Sequence, residues 1–199
     1  MISNAINTRK KNIRETVLNS ALHLFTVKGY FNTSVPDIVK HSACSTGSIY
    51  HHFADKKSIA EALYNCLVER METSLNEINQ NYDTTKQRCY QIIKLLFELT
   101  ENEPEVMRFM LFSKHREFIA DIAPICSTKP FMIMRDLVAA GMESNEVQIM
   151  DKMVAVSVMF GGALRLIQLR LDNVLKEPVQ DKLEDVFTYS WKAIENNTE

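Results

Sequence analysis

The chain has 199 residues, 46% of them hydrophobic, and a formal net charge of -2 at pH 7. This length and apolar content predict a folded protein with a buried core, arranged as one large domain or as a small domain joined to a larger one. Residues 1–60 carry a charge of +5 and the remainder -7, which favours a nucleic-acid surface in the N-terminal segment only.

The first predicted helix begins at Arg9, after a polar stretch without periodicity that is expected to fray. Apolar residues then recur at helical spacing until Gly29, which is expected to end the helix. The basic side chains of the first turns either contact phosphates or form a solvated end, and the sequence leaves both readings open. These side chains are Arg9, Lys10, Lys11 and Arg14.

Two short helices separated by a sharp turn are predicted next. Ser34 is placed to cap the first, with Pro36 in its first turn and Asp37 completing a capping box. Ser45 caps the second, with Ser48 three residues later. This spacing is typical of a helix-turn-helix unit, whose second helix lies in the major groove of DNA. The residues predicted to face DNA are Thr46, Gly47, Ser48, Tyr50 and His51.

The same segment resembles the TetR family of transcriptional regulators. The matching pattern is a glycine and an aromatic residue, paired hydroxyls, an acidic-apolar step, then Ser-x-Gly-x-Ile-Tyr-His-His-Phe and Asp-Lys. The residues that carry it are Gly29, Tyr30, Thr33, Ser34, Asp37, Ile38, Ser45, Gly47, Ile49, Tyr50, His51, His52, Phe53, Asp55 and Lys56.

The resemblance implies an all-α homodimer. It places an N-terminal three-helix helix-turn-helix domain at residues 1–55 and a C-terminal effector-binding and dimerisation domain at residues 56–199. By resemblance, Thr46, Gly47 and Ser48 approach bases, and Ser45 belongs to the same interface. The residues implied to hold phosphates are Thr33, Ser34, Tyr50, His51 and Lys56.

Two positions depart from the family pattern. Ala43 stands where a glycine is usual, at the end of the first short helix, so a left-handed and slightly strained backbone is expected there. Lys57 stands where an acidic residue is common, and its charge opposes the helix dipole unless a phosphate lies nearby.

The rest of the chain is predicted to be helical, because no segment alternates with a period of two. Asp55 caps a long helix, and Gly141 and Asn145 are expected to end one later helix and begin another. The predicted segments are Thr85 to Leu99, Pro104 to about His115, Phe118 to Ile125, Pro130 to Ala140, Val147 to Leu171 and Val179 to Ile194.

The last two helices have broad apolar faces that suit a four-helix seam across a two-fold axis. Gly161 and Gly162 indicate close approach by another helix or by a ligand, with packing inside one chain as the alternative. The residues predicted for dimerisation are Val158, Gly162, Leu164, Val186, Phe187 and Trp191.

Methionine and phenylalanine are concentrated after residue 100, where they fit either an ordinary core or a cavity for an apolar guest. The family resemblance favours the cavity for the region as a whole. The predicted effector-binding residues are Met107, Met110, Phe112, Phe131, Met134 and Met159. Candidates for a polar handle, or for plain surface charges, are Arg108, His115, Arg116, Arg135 and Arg165.

Other classes of protein receive less support from the sequence. His41, Cys44, His51 and His52 do not converge as zinc ligands, so no metal and no cofactor are expected. The four cysteines are scattered and follow no secretory leader, which predicts a reduced, cytoplasmic protein. No apolar run approaches the length of a bilayer span, and no catalytic motif is present.

The resulting prediction is a homodimeric repressor that leaves a palindromic operator when it binds a small apolar or amphipathic effector. Activation instead of repression remains open. The alternative is a helical carrier or adaptor whose basic end binds a protein partner, and salt-sensitive preference for an inverted repeat in duplex DNA separates the two.

Overall fold

The structure is a computed structural model that describes residues 2–119 and 127–197, with side chains from residue 13 onward. The predicted all-α class is confirmed, and the described residues contain no strand, only one isolated bridge between Val147 and Glu195. Single turns of 3-10 helix occupy His115–Glu117 and Val179–Lys182. The α-helices are α1 Ile2–Val27, α2 Val35–Ser42, α3 Thr46–His52, α4 Lys56–Asn81, α5 Thr85–Asn102, α6 Pro104–Phe112, α7 Lys129–Glu143, α8 Lys152–Leu171 and α9 Leu183–Lys192.

The chain forms two compact units. The first unit comprises Met1–Leu67 and Glu105–Ile122, and the second comprises Val68–Pro104 and Ala123–Glu199. Residues of α4 therefore belong to both units, and most of α6 belongs to the first. The functional division into residues 1–55 and 56–199 stays a prediction.

The first unit is built on α1, whose apolar stripe packs against α2 and α3. Ile38 and Ile49 are each fully buried, so each short helix places one large apolar side chain in this core. Helices of seven and eight residues are unstable alone, and packing against α1 stabilises them. Part of α6 completes the core, where Phe109 is buried and its ring stacks on that of Phe25 with centroids 6.4 Å apart.

The second unit is centred on α5, which packs against α7, α8 and α9. Ile92, Ile93 and Phe97 of α5 are fully buried. At the other end of this core, the Arg170 guanidinium donates two hydrogen bonds of 2.9 Å to the Glu101 carboxylate. These bonds hold the pKa of Glu101 below its usual value, although its partial burial acts in the opposite direction.

Two predicted helix boundaries in the first unit are confirmed, and one is not. Gly29 has a φ of +83° and lies two positions after Val27, the last residue of α1, as expected for a residue that ends a helix. Asp55 accepts a 2.7 Å hydrogen bond from the Ser58 N–H in the first turn of α4. α1 begins at Ile2, before the predicted start at Arg9.

Two predicted boundaries in the second unit are wrong. Gly141 does not end α7 but lies buried inside it, where a β-carbon would come within 2.8 Å of the Thr85 and Val147 side chains. Asn145 does not begin α8, because its φ of 60° is left-handed; Asp151 caps α8 instead, accepting hydrogen bonds from the N–H groups of Met153 and Val154.

The predicted helices around residue 115 also need correction. α6 ends at Phe112, and a 3-10 turn follows in place of a helix that continues to His115. Of the helix predicted from Phe118 to Ile125, residues 120–125 lie outside the described part of the chain.

The expectation that no segment is long and apolar enough to span a bilayer is wrong for α8, whose length and composition meet that criterion. However, seven of its residues are buried against neighbouring helices, as in the core helix of a globular unit. Arg165 and Arg170 further along the helix also disfavour a hydrocarbon environment.

Candidate nucleic-acid interface

The start of α2 is fixed by the predicted capping box. The Asp37 N–H donates to Ser34 Oγ over 3.2 Å, and the Ser34 N–H donates to Asp37 Oδ2 over 2.8 Å. The hydrogen bonds from Ser34, with a further one from Lys28, lower the pKa of Asp37 to about 2. The Asp37 carboxylate therefore stays ionised near the predicted phosphate-binding surface and is neutralised locally by Lys28.

The turn between α2 and α3 contains the predicted departure from ordinary backbone geometry. Ala43 has φ 54° and ψ 19°, the left-handed conformation that glycine adopts without strain. After it, Ser45 caps α3 by accepting a 3.1 Å hydrogen bond from the Ser48 N–H. The Ser45 and Ser48 hydroxyls lie 2.8 Å apart, so they also bond to each other.

α3 presents one face to the core and another to solvent. Ile49 is buried, whereas Thr46, Gly47 and His51 are exposed and the Tyr50 side chain is 53% exposed. A β-carbon placed on Gly47 would have no atom within 4 Å. The predicted base-reading residues therefore lie on an open surface with space above the backbone of α3.

Thr33 and Lys56 differ from the other predicted phosphate ligands. The Thr33 side chain is 2% exposed, and its hydroxyl donates to the Gly29 carbonyl over 2.9 Å, so it closes the turn after α1 instead of facing solvent. Lys56 Nζ donates to the carbonyls of Tyr30 and Thr33 over 2.9 and 2.8 Å. Partial burial lowers the pKa of Lys56, and its ammonium lies 4.2 Å from the Tyr30 ring centroid.

Other basic residues of the first unit remain at the surface. Arg14 and Lys40 are exposed, while Lys57 pairs with Glu61 one turn later in α4 at 3.6 Å. This ion pair offsets the unfavourable position of Lys57 in the first turn of α4. The side chains of Arg9, Lys10 and Lys11 lie outside the described part of the structure.

The histidines of this unit do not form a metal site within the described residues, where no group of three or more potential ligands converges. The His51 and His52 rings meet edge to face, with centroids 5.3 Å apart. His23 and His41 stack at 4.9 Å, and His23 Nδ1 lies 2.7 Å from Glu105 Oε1.

The contacts of His23 with His41 and Glu105 join α1, the end of α2 and α6, and no sequence pattern predicts them. His23 and Glu105 are separated by 82 positions, and neither belongs to a recognisable motif. Only the path of the chain, which returns α6 to the first unit, brings them together.

His115, predicted to be either a polar handle for an effector or a surface charge, is buried in the first unit. Its ring lies among the rings of Tyr64, Phe109 and Phe118, with centroids 4.8, 4.7 and 5.7 Å away. Burial lowers its pKa to about 4, although a hydrogen bond to the Phe109 backbone acts in the opposite direction. Its Nε2 is buried and has no hydrogen-bond partner among the described residues.

The predicted effector-binding residues are divided between the two units. Met107, Met110 and Phe112 belong to the first unit, and Phe131, Met134 and Met159 to the second. Met107 and Met159 are buried, whereas Phe112 is exposed. A groove of about 280 Å³ in the second unit involves none of them; it is lined by Ser74, Glu77, Ile78, Asn81, Tyr82, Gln91, Lys94, Leu95 and Glu98.

Two of the predicted dimerisation residues pack inside their own chain. Phe187 and Trp191 are buried, and the Phe187 ring meets that of Tyr90 edge to face. A β-carbon on Gly162 would lie 3.2 Å from Val186, so this glycine allows α9 to approach α8 closely. Val158 is exposed and Leu164 is half-buried.

Part of the first unit also matches a known protein family. Residues 17–63 match the model of "Bacterial regulatory proteins, tetR family". The negative transcriptional regulator IcaR of the biofilm operon icaADBC in Staphylococcus aureus is 29% identical over 92 residues, which are 45% of this chain and 48% of IcaR. The chain thus spans about half the length of this curated relative.

Solved structures share the fold over nearly the whole chain. A TetR family transcription regulator from Marinobacter aquaeolei superposes with a TM-score of 0.80 at 18% identity, covering 96% of this chain and all of the other. The regulator FadR of Bacillus subtilis, solved in complex with stearoyl-CoA, gives 0.73 at 19% identity, with 90% of this chain and 98% of FadR covered.

Proposed function

Because residues 17–63 of this chain belong to the TetR family of bacterial regulatory proteins, we propose that the protein is a transcriptional regulator that binds duplex DNA as a homodimer. The observation that carries the proposal is the exposed face of α3, held by two capped helix starts and a tight turn. This face contacts base edges, and Ser34, Tyr50 and His51 contact phosphates beside it.

Dimerisation gives the regulator its preference for an inverted repeat. Each protomer supplies one α3, and two α3 helices related by a two-fold axis fit half-sites about 34 to 36 Å apart or a multiple of that distance. The apolar face of α8 that includes Met153, Val154 and Val158 is exposed in the single chain and forms the seam between protomers. IcaR, described as a negative regulator, supports repression as the outcome of binding.

The effector proposed for this regulator is small and apolar or amphipathic. The stearoyl-CoA bound by the fold relative FadR supports a long acyl chain with an anionic head as the first class to screen. Release of labelled operator in the presence of acyl-CoA compounds, compared with free coenzyme A, tests this class. An operator complex unaffected by every member of the screen contradicts ligand-controlled release by acyl chains.

The protein is not proposed to be an enzyme, since its relatives are described as transcriptional regulators. A cytoplasmic location is part of the proposal, and the free thiols of Cys44, Cys66 and Cys89 support it, because a reducing compartment keeps thiols unpaired.

The decisive experiment selects bound fragments from random duplex DNA with the full-length protein and then measures their affinity. We expect the selected fragments to share an inverted repeat. Tyr50→Ala and His51→Ala should each weaken binding to this repeat by at least tenfold, since each side chain is exposed on the proposed face. Lys176→Ala, an exposed residue of the second unit, serves as the control and leaves affinity unchanged.

The outcome of this selection also separates the regulator from a helical adaptor. If the protein is a regulator, the selection enriches one DNA sequence. The affinity for that sequence then falls steeply as the salt concentration is raised, because protein binding to phosphates releases counterions. Enrichment of no sequence, or equal affinity of the Tyr50 and His51 variants and the natural protein, contradicts the proposal.

A further inference from the structure

α3 lacks the side chains that make the strongest contacts with bases. Its residues are Thr-Gly-Ser-Ile-Tyr-His-His, without any Arg, Lys, Asn, Gln, Asp or Glu. In the major groove, guanine is read by Arg or Lys, adenine by Asn or Gln, and the cytosine amino group by Glu or Asp. Bidentate reading of guanine or adenine by α3 is therefore excluded by its composition.

The surface that α3 does expose includes apolar groups beside the His51 ring. Thr46 and Tyr50 are four residues apart, so the Thr46 methyl group and the Tyr50 ring lie on the same side of the helix. Between them, Gly47 leaves the backbone open, since a β-carbon there would meet nothing within 4 Å. The Ser48 hydroxyl is partly engaged, because it lies 2.8 Å from the Ser45 hydroxyl.

Thymine is the base that offers a matching group. Its 5-methyl group lies in the major groove and is contacted by apolar side chains such as the methyl of threonine. We infer that this protein reads its half-site through thymine methyl groups that pack against Thr46, the open backbone at Gly47 and the ring of Tyr50, while the Tyr50 hydroxyl keeps its proposed contact with a phosphate. The inference rests on the proposed function and adds the chemistry of the bases that are recognised.

The test uses the full-length protein and the operator obtained by selection from random duplex DNA. Each thymine of a half-site is replaced in turn by deoxyuracil, which removes only the methyl group, and Kd is measured at one fixed salt concentration. We expect one or two replacements per half-site to weaken binding roughly fourfold each, because burying one such carbon contributes about 0.8 kcal/mol.

Protein variants assign the contact to α3. Thr46→Ser keeps the hydroxyl and loses the methyl group, so this variant should bind the thymine operator roughly fourfold more weakly and no longer respond to deoxyuracil at the position it faces. Thr73→Ser makes the same change at an exposed residue of α4 and should behave as the natural protein does. Gly47→Ala should stay folded, which circular dichroism verifies, and should lose at least tenfold in affinity.

Several results would overturn the inference while leaving the proposed function intact. One is a specific inverted repeat whose affinity is unchanged by every deoxyuracil replacement. Another is a Thr46→Ser variant as sensitive to deoxyuracil as the natural protein. A third is a large loss of operator affinity when guanine is replaced by 7-deazaguanine, which would assign the recognition of bases to His51. Failure of the selection to yield any preferred sequence would instead overturn the proposed function.

Discussion

At the scale of single residues, the helix-turn-helix contains a built-in strain at Ala43. Its φ of 54° costs a residue with a β-carbon about 1 kcal/mol or more, whereas glycine adopts it freely. We expect Ala43→Gly to raise the free energy of unfolding by about 0.5 to 1 kcal/mol, measured by urea denaturation.

The control for this change is Ala193→Gly, at an exposed alanine with a φ of -75°. There the backbone is right-handed, so glycine only adds freedom to the unfolded chain and should lower stability. Equal effects of the two substitutions would show that the turn is not strained at Ala43.

His115 makes stability depend on pH through its burial among aromatic rings. Its pKa is about 4 in the folded protein against an ordinary value of 6.5, so between these values the unfolded chain binds a proton that the folded chain does not. The stabilisation that depends on neutral His115 is therefore fully present above pH 6.5, and the free energy of unfolding falls as the pH drops towards 4.

We expect His115→Phe to remove about 2 kcal/mol of the difference in unfolding free energy between pH 7.5 and pH 5, since one pKa unit corresponds to about 1.4 kcal/mol. Denaturant titrations at the two pH values measure this. His51→Phe, at an exposed position, should retain the natural difference. A pH dependence that survives His115→Phe would assign it to other groups.

At the scale of helices, the effect of replacing a glycine depends on both helix propensity and packing against residues distant in sequence. Gly141 lies inside α7, where a β-carbon would come within 2.8 Å of the buried, β-branched side chains of Thr85 and Val147. Although alanine favours helix, we expect Gly141→Ala to lower the unfolding free energy by about 1 to 3 kcal/mol, because the neighbouring core cannot yield easily.

Gly47→Ala is the matched control, since Gly47 is also helical but has open space around it. Its unfolding free energy should rise by about 0.5 to 1 kcal/mol from helix propensity alone. Thermal or urea unfolding of both variants measures the contrast. If Gly141→Ala were also stabilising, the close packing of α7 on Thr85 and Val147 would be wrong.

At the scale of the whole molecule, the proposed regulator needs two chains. We expect Val158→Glu, which places a charge on the exposed apolar face of α8, to convert the dimer into a monomer and to weaken operator binding by at least tenfold. Sedimentation analysis gives the mass. Val174→Glu, at an exposed valine beyond α8, should leave both properties unchanged, whereas a dimeric Val158→Glu protein would place the seam elsewhere.

The sequence predicted the local structure of the candidate interface well. The capping box at Ser34, the cap at Ser45, the left-handed turn at Ala43 and the exposed Tyr50 all depend on residues at most four positions apart. Lys56 was less predictable, because the carbonyl groups of Tyr30 and Thr33 that accept its hydrogen bonds lie more than twenty positions away and reach it only when the turn after α1 packs on the start of α4.

The sequence by itself thus determined the all-α class, the position of the helix-turn-helix and the chemistry of α3, because helix starts, turns and periodic faces arise from neighbouring residues. Only the tertiary structure decided which apolar faces close within one chain, as at Phe187 and Trp191, and which pairs meet, as Thr85 and Glu146 do across 61 positions. The physical reason is that such contacts depend on the path of the whole chain, which no local pattern specifies.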